Sequence, residues 1–175
     1  MFIITGDGPA REDIKKYALD NGVIEHILFT GFIERLKLKS FYSLANVFVF
    51  ASKVESQGMV VLESMACGTP VVAIGKMGTR EVMGGDSGGF MVDDELDTFV
   101  EGVKVLLNDA LLYKIKAEEA RQHSSKWTMQ VQAIKMLKLY RALIKKYSEP
   151  YFITKVPKGD KYFAKFYKRF FSSTG

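Results

Sequence analysis

At 175 residues the chain has room for one domain with a sizeable core plus a further segment. Its 47% hydrophobic and 26% charged residues are ordinary for a globular protein, no apolar run approaches the ~20 residues of a membrane span, and the opening MFIITGDGP lacks the basic lead and long apolar core of a secretion signal. The formal net charge of +5 is concentrated at one end: residues 1–150 hold 19 Lys and Arg against 19 Asp and Glu, whereas 151–175 hold six basic residues and only Asp160, so a nucleic-acid surface is not a property of the domain.

The first strand is Phe2-Ile3-Ile4-Thr5, broken by Gly6-Asp7-Gly8-Pro9 before a helix over Ala10–Asn21. Gly6 and Gly8 suit close approach of the chain to a ligand, and equally a plain tight turn. His26–Thr30 is the next strand, and Gly31-Phe32-Ile33 leaves it for a helix over Glu34–Ser43. Residues 47–51 form a third strand. The stretch Glu55-Ser56-Gln57-Gly58-Met59-Val60-Val61-Leu62-Glu63 then runs through a loop into a short helix, and Val71-Val72-Ala73-Ile74 completes a βαβ unit. Gly75–Arg80 reads as a glycine-rich loop opening a short helix at Glu81-Val82-Met83, and the 84–89 turn leads to a last strand, Phe90-Met91-Val92. Helices follow at 97–108, 110–124 and 127–147, the last with an apolar face of Val131, Ile134, Leu137, Leu139 and Leu143 expected to be core. Strands alternating with helices in this way imply an α/β fold with a doubly wound, Rossmann-like parallel sheet.

The chemistry concentrates at the loop-to-helix junction around Gly58. The first N–H groups of a helix lack internal partners and, with the helix dipole, attract an anion such as phosphate. Glu63 lies about one turn into the helix with a side chain leaning back toward its start, and Glu55 stands in the loop before it. Two carboxylates beside a phosphate site make sense when they accept hydrogen bonds from hydroxyls, which points to sugars on both sides of a diphosphate. Asp93-Asp94-Glu95 is expected to cap the following helix rather than to bind a metal. Cys67 is expected to be a packed core residue, and His26 and His123 have no metal-ligand spacing.

The Glu55/Glu63 spacing inside VESQGMVVLESMACGTPVVA resembles the signature of the family 4 glycosyltransferases, retaining enzymes of the two-domain GT-B fold. ITGDGP, ILFTGFI and GTREVM fall in the order that family shows in its C-terminal, donor-binding half. The resemblance implies a nucleotide sugar donor, UDP- or GDP-linked, with no metal cofactor. It implies Glu55 as the catalytic carboxylate that orients the donor sugar, and Gln57, Gly58, Met59 and Val60 as donors to sugar and phosphates. It further implies Glu63 on the ribose, Phe32 and Ile33 beside the nucleobase, and Gly6 and Gly8 at the donor-binding sheet edge. Relatives begin this domain with one more strand and helix, carrying an Arg and a Lys for the diphosphate, and precede it with an acceptor-binding domain. No Arg or Lys in residues 1–40 is given that role here, and an acceptor-binding domain or subunit is an implied partner.

On this reading residues 1–147 are the donor-binding domain and 148–175 a basic aromatic tail. Phe163, Phe166, Tyr167 and Phe170 fall on one helical stripe with lysines mostly opposite, which suits an anionic membrane surface and suits packing on a missing domain. The implied place is the cytoplasm, at the inner membrane face if the tail binds it, with a lipid or lipid-linked acceptor. A non-catalytic nucleotide-sugar-binding module is the alternative. A glycoside hydrolase is disfavoured because Glu63 beside a phosphate site is poorly placed for a protonated acid. A dinucleotide oxidoreductase is disfavoured by the absence of Gly-x-Gly-x-x-Gly with a following acid.

Overall fold

The computed structural model describes residues 1–147, so the tail and its aromatic stripe lie outside the described residues. The chain divides into two compact units, Met1–Trp127 and a second that starts at Thr128. In chain order the first unit carries β1 (Phe2–Thr5), α1 (Arg11–Asp20), β2 (Ile27–Gly31), α2 (Arg35–Leu44), β3 (Phe48–Phe50), α3 (Met59–Ala66), β4 (Val71–Ile74), α4 (Met77–Met83), β5 (Gly89–Val92), α5 (Leu96–Asn108) and α6 (Ala110–Ser125). A single helix, α7 (Met129–Tyr147), is the described part of the second.

All strand pairs are parallel, as the alternation of elements requires, and the sheet comes in two pieces. β1 pairs with β2, and β3, β4 and β5 form the other piece in that order. β4 is central and its four apolar residues are buried on both faces, the pattern of a covered parallel strand. Val71 and Ala73 join Val61, Leu62 and Met65 of α3, Val82 and Met83 of α4 and Ala120 of α6 in the core. Val72 faces the other way: a Cβ on Gly102 of α5 would lie 3.2 Å from its Cγ1. Helices therefore cover both faces, and the sheet is doubly wound.

Burial is uneven along the chain. Among residues 1–57 only Ala18 and Gly31 are buried, whereas α3, β4 and α4 supply most of the core. The carboxyl ends of β3, β4 and β5 are thus mounted on the best-packed part of the molecule, which is what a binding edge needs.

Three expectations are corrected. α4 begins at Met77, four residues before Glu81, because Gly78 N–H finds an acceptor outside its own helix, the Glu55 carbonyl at 2.9 Å. Cys67 is half-buried rather than core, since it ends α3 with its Sγ toward the Lys39 carbonyl at 3.8 Å. The apolar face of α7 is not core among the described residues: Ile134, Leu137, Leu139 and Leu143 are all exposed, as no described element of its own unit covers them.

Candidate functional site

The site is built on the β3–α3 connection. Gly58 occupies the N-cap of α3 at φ 63°, a left-handed conformation that favours glycine, and is buried against α4. A Cβ there would lie 3.2 Å from the Gly78 carbonyl oxygen and from Val82. On the other side of the contact Gly78 is more demanding. Its Cβ would fall 2.6–2.7 Å from the Ser56–Gln57 backbone, so the α4 start and the Glu55 loop approach to a distance only glycine permits.

Glu55 turns back over this loop. Its Oε1 accepts the N–H groups of Gln57 at 2.9 Å and Gly58 at 3.0 Å. Those bonds, the Gln57 one foremost, hold the Glu55 carboxyl below the usual carboxylate range. With the folded-state pKa depressed, the bonds contribute above the unfolded carboxylate range and are lost as pH falls through the folded value. The carboxylate thereby takes two of the loop's N–H groups, while those of Met59 and Val60, the first of α3, have no acceptor among the described residues. An anion at this helix start meets Met59 and Val60 directly and reaches Gln57 and Gly58 only by displacing Glu55.

Glu63 faces a different neighbour. Tyr42 Oη donates to its Oε2 at 3.2 Å, and Arg35 Nη2 lies 3.9 Å from Oε1. Tyr42 is held by an edge-on contact with Phe48, ring centroids 5.4 Å apart, and by Thr69 Oγ1 donating to its carbonyl at 2.6 Å. Burial, then the Glu63 charge, pushes the Tyr42 hydroxyl up, so it stays protonated and donating at neutral pH. A half-buried Glu63 with one oxygen toward exposed Arg35 can still accept from ligand hydroxyls.

Of the residues expected from the sequence, Glu55, Gln57, Gly58, Met59, Val60 and Glu63 are thus brought together on one loop and helix start. Phe32 and Ile33 lie in the loop after β2, just before Arg35, whose Nη2 approaches Glu63 of α3 at 3.9 Å; Phe32 is 90% exposed. Gly6 donates to the Gly31 carbonyl at 2.8 Å, and Gly8 donates to Asp7 Oδ1 at 2.9 Å. Both glycines have open space where a Cβ would be. No described contact joins them to Glu55.

Sequence reasoning missed Tyr42, Arg35 and Gly78, and it misjudged the acidic run. Asp94 Oδ1 lies 2.9 Å from Lys53 Nζ and its Oδ2 2.6 Å from Lys76 Nζ; these lysines, Lys76 foremost, hold the Asp94 carboxyl below the usual range. The N-cap of α5, Glu95, makes no side-chain cap bond, and Thr98 Oγ1 instead donates to the Glu95 carbonyl at 2.9 Å. No group of three His, Cys, Asp or Glu fit to hold a metal occurs among the described residues. The only hint of Tyr42 in the sequence is a tyrosine placed one helix before a motif that needs a positioned carboxylate.

Comparison with known proteins matches these elements. The family model described as glycosyl transferases group 1 covers residues 1–123. Alpha-D-kanosaminyltransferase of Streptomyces kanamyceticus is 29% identical over 145 residues, 82% of this chain and 38% of that protein. Alpha-monoglucosyldiacylglycerol synthase of Streptococcus pneumoniae is 40% identical over 74 residues, 42% of this chain and 17% of that protein. Among solved structures, sucrose-phosphate synthase from Thermosynechococcus elongatus superposes with a TM-score of 0.72 at 25% identity, over 82% of this chain and 38% of that one. The chain therefore spans less than two fifths of the length of these proteins. With the family match extending from β1 into α6 and the α/β fold shared with GT-B enzymes, the chain belongs to the group 1 glycosyl transferases.

Proposed function

We propose that this chain binds a nucleotide diphosphate sugar, UDP- or GDP-linked, and that with an acceptor-binding half it transfers the sugar to an acceptor hydroxyl with retention at the anomeric carbon. The observation that carries this is the start of α3, where the N–H groups of Met59 and Val60 are open, Glu55 accepts from the Gln57 and Gly58 N–H groups before it, and Glu63 stands one turn along the same helix. Phosphate at that helix start has preorganised donors for the negative charge that develops on the leaving diphosphate, a task that needs no general acid. Glu55 orients the donor sugar, Glu63 accepts from the ribose, and Phe32 and Ile33 border the base. No protein nucleophile and no metal are assigned. Residues 1–147 act as the donor half, and the 148–175 tail docks against an acceptor-binding domain or subunit or an anionic membrane at the inner face. A lipid or lipid-linked acceptor has support in the name of the streptococcal relative, a diacylglycerol-lipid synthase.

Calorimetry of the 175-residue chain with UDP, GDP and ADP tests the donor assignment. Heat of binding with one base above the others is expected; equal, undetectable heats for all three with folded protein count against a donor domain. Glu55→Ala is expected to spare bare nucleotide while eroding discrimination between its sugar conjugates. Equal losses for nucleotide and conjugates would remove Glu55 from the sugar.

A further inference from the structure

The ion pairs at the carboxyl edge of the sheet carry a ligand assignment. Lys53 follows β3, Lys76 follows β4 and Asp94 follows β5, three neighbouring parallel strands whose ends share one edge. One carboxylate bridges the two ammonium groups, at 2.9 and 2.6 Å. Both lysine side chains are substantially exposed, 61% and 44%, and an ammonium has three donors, so each keeps capacity for a second acceptor.

The cluster adjoins the Glu55 loop. Lys53 precedes Glu55 by two residues and Lys76 precedes Gly78 by two, and Glu55 and Gly78 are joined backbone to backbone at 2.9 Å. Charge balance makes the lysines matter. Glu55, Glu63 and Asp94 place three carboxylates in the loops and helix at this edge, and a diphosphate adds more negative charge. A helix start offers only about half a positive charge against it. Exposed ion pairs contribute little to stability, so exchanging the Asp94 oxygens for phosphate oxygens costs little.

We propose that Lys53 and Lys76 are the cations that hold the diphosphate of the nucleotide sugar, with Asp94 the counter-ion that keeps both ammonium groups at the sheet edge until the ligand engages them. This rests on the nucleotide-sugar assignment above and supplies positive charge for the diphosphate from the loops after β3 and β4.

The test is calorimetry on the whole chain with nucleoside diphosphate, the matching monophosphate and inorganic pyrophosphate, for wild type, the Lys53→Gln/Lys76→Gln double variant and Asp94→Asn, with thermal melts to show that each is folded. The double variant is expected to lose at least about tenfold in diphosphate affinity and less than about threefold in monophosphate affinity, with a weaker dependence on salt. Pyrophosphate is expected to compete with the diphosphate in wild type and to fail in the double variant. Asp94→Asn, which removes the competing negative charge while keeping one acceptor oxygen, is expected to tighten diphosphate binding about two- to fivefold. A double variant that binds diphosphate as wild type does, or an Asp94→Asn variant that weakens as the lysine variant does, reduces the cluster to a tie between loops and overturns the proposal. Wild type that binds mono- and diphosphate equally well overturns this assignment alone. Wild type that binds no nucleotide overturns the donor assignment as well.

Discussion

Gly78→Ala is expected to lower nucleoside diphosphate affinity at least tenfold and to cost about 1–3 kcal/mol of stability, the usual range for overpacking. The added methyl would lie 2.6–2.7 Å from the Ser56 carbonyl group and the Gln57 nitrogen. These are backbone atoms of the loop that carries Glu55, so no side chain can rotate away. Relief requires α4 and the loop to separate, which also stretches the 2.9 Å Gly78 N–H to Glu55 carbonyl bond and displaces the donors at the α3 start. For a chain of this length the stability loss corresponds to roughly 2–4 °C in Tm per kcal/mol. Gly102→Ala is the fitting comparison, because its methyl meets a side-chain atom of Val72 at 3.2 Å, which can give. Calorimetry and melting on both variants separate the two effects: if Gly78→Ala binds nucleotide like wild type, the loop is not positioned through α4.

Glu63→Ala is expected to reduce nucleotide affinity roughly 10- to 100-fold, the consequence of losing hydrogen bonds to a charged acceptor worth about 1.5–3 kcal/mol. The loss should be shared by nucleotide and nucleotide sugar, since Glu63 is assigned to the ribose that both contain. Tyr42→Phe distinguishes this from structural damage. It removes the 3.2 Å bond to Glu63 while keeping the ring against Phe48, so it should leave affinity within a few-fold of wild type. If Tyr42→Phe matches Glu63→Ala in binding measurements, Glu63 acts by holding α2 on α3 rather than by touching ligand.

These variants also mark where sequence and tertiary structure divide the information. Val71–Ile74 is legible to the residue as a strand, because four consecutive apolar residues between turn signals suit a strand buried on both faces, which β4 is. The Glu55–Glu63 stretch was legible for a related reason. A strand, a loop glycine and a helix with a carboxylate one turn in make up a local unit, and local units are written in local order. Gly58 shows it: its φ of 63° and its place at the α3 N-cap follow from the loop it closes.

Contacts between segments distant in sequence were not legible in that way. The start of α4 at Met77 depends on a bond from Gly78 to a carbonyl on the β3–α3 loop, and nothing near Gly78 in sequence encodes it. Asp94 reads locally as part of an acidic cap, yet lysines from the ends of β3 and β4 take it, because parallel strands bring the loops after them to one edge. Tyr42 reaches Glu63 only through the packing of α2 on α3. The sequence by itself determined the strand–helix alternation, the family and the carboxylate pair, since periodicity and motif spacing are properties of neighbouring residues. Only the tertiary structure decided which groups surround that pair, because hydrogen bonds and ion pairs between loops depend on where the sheet sets their ends.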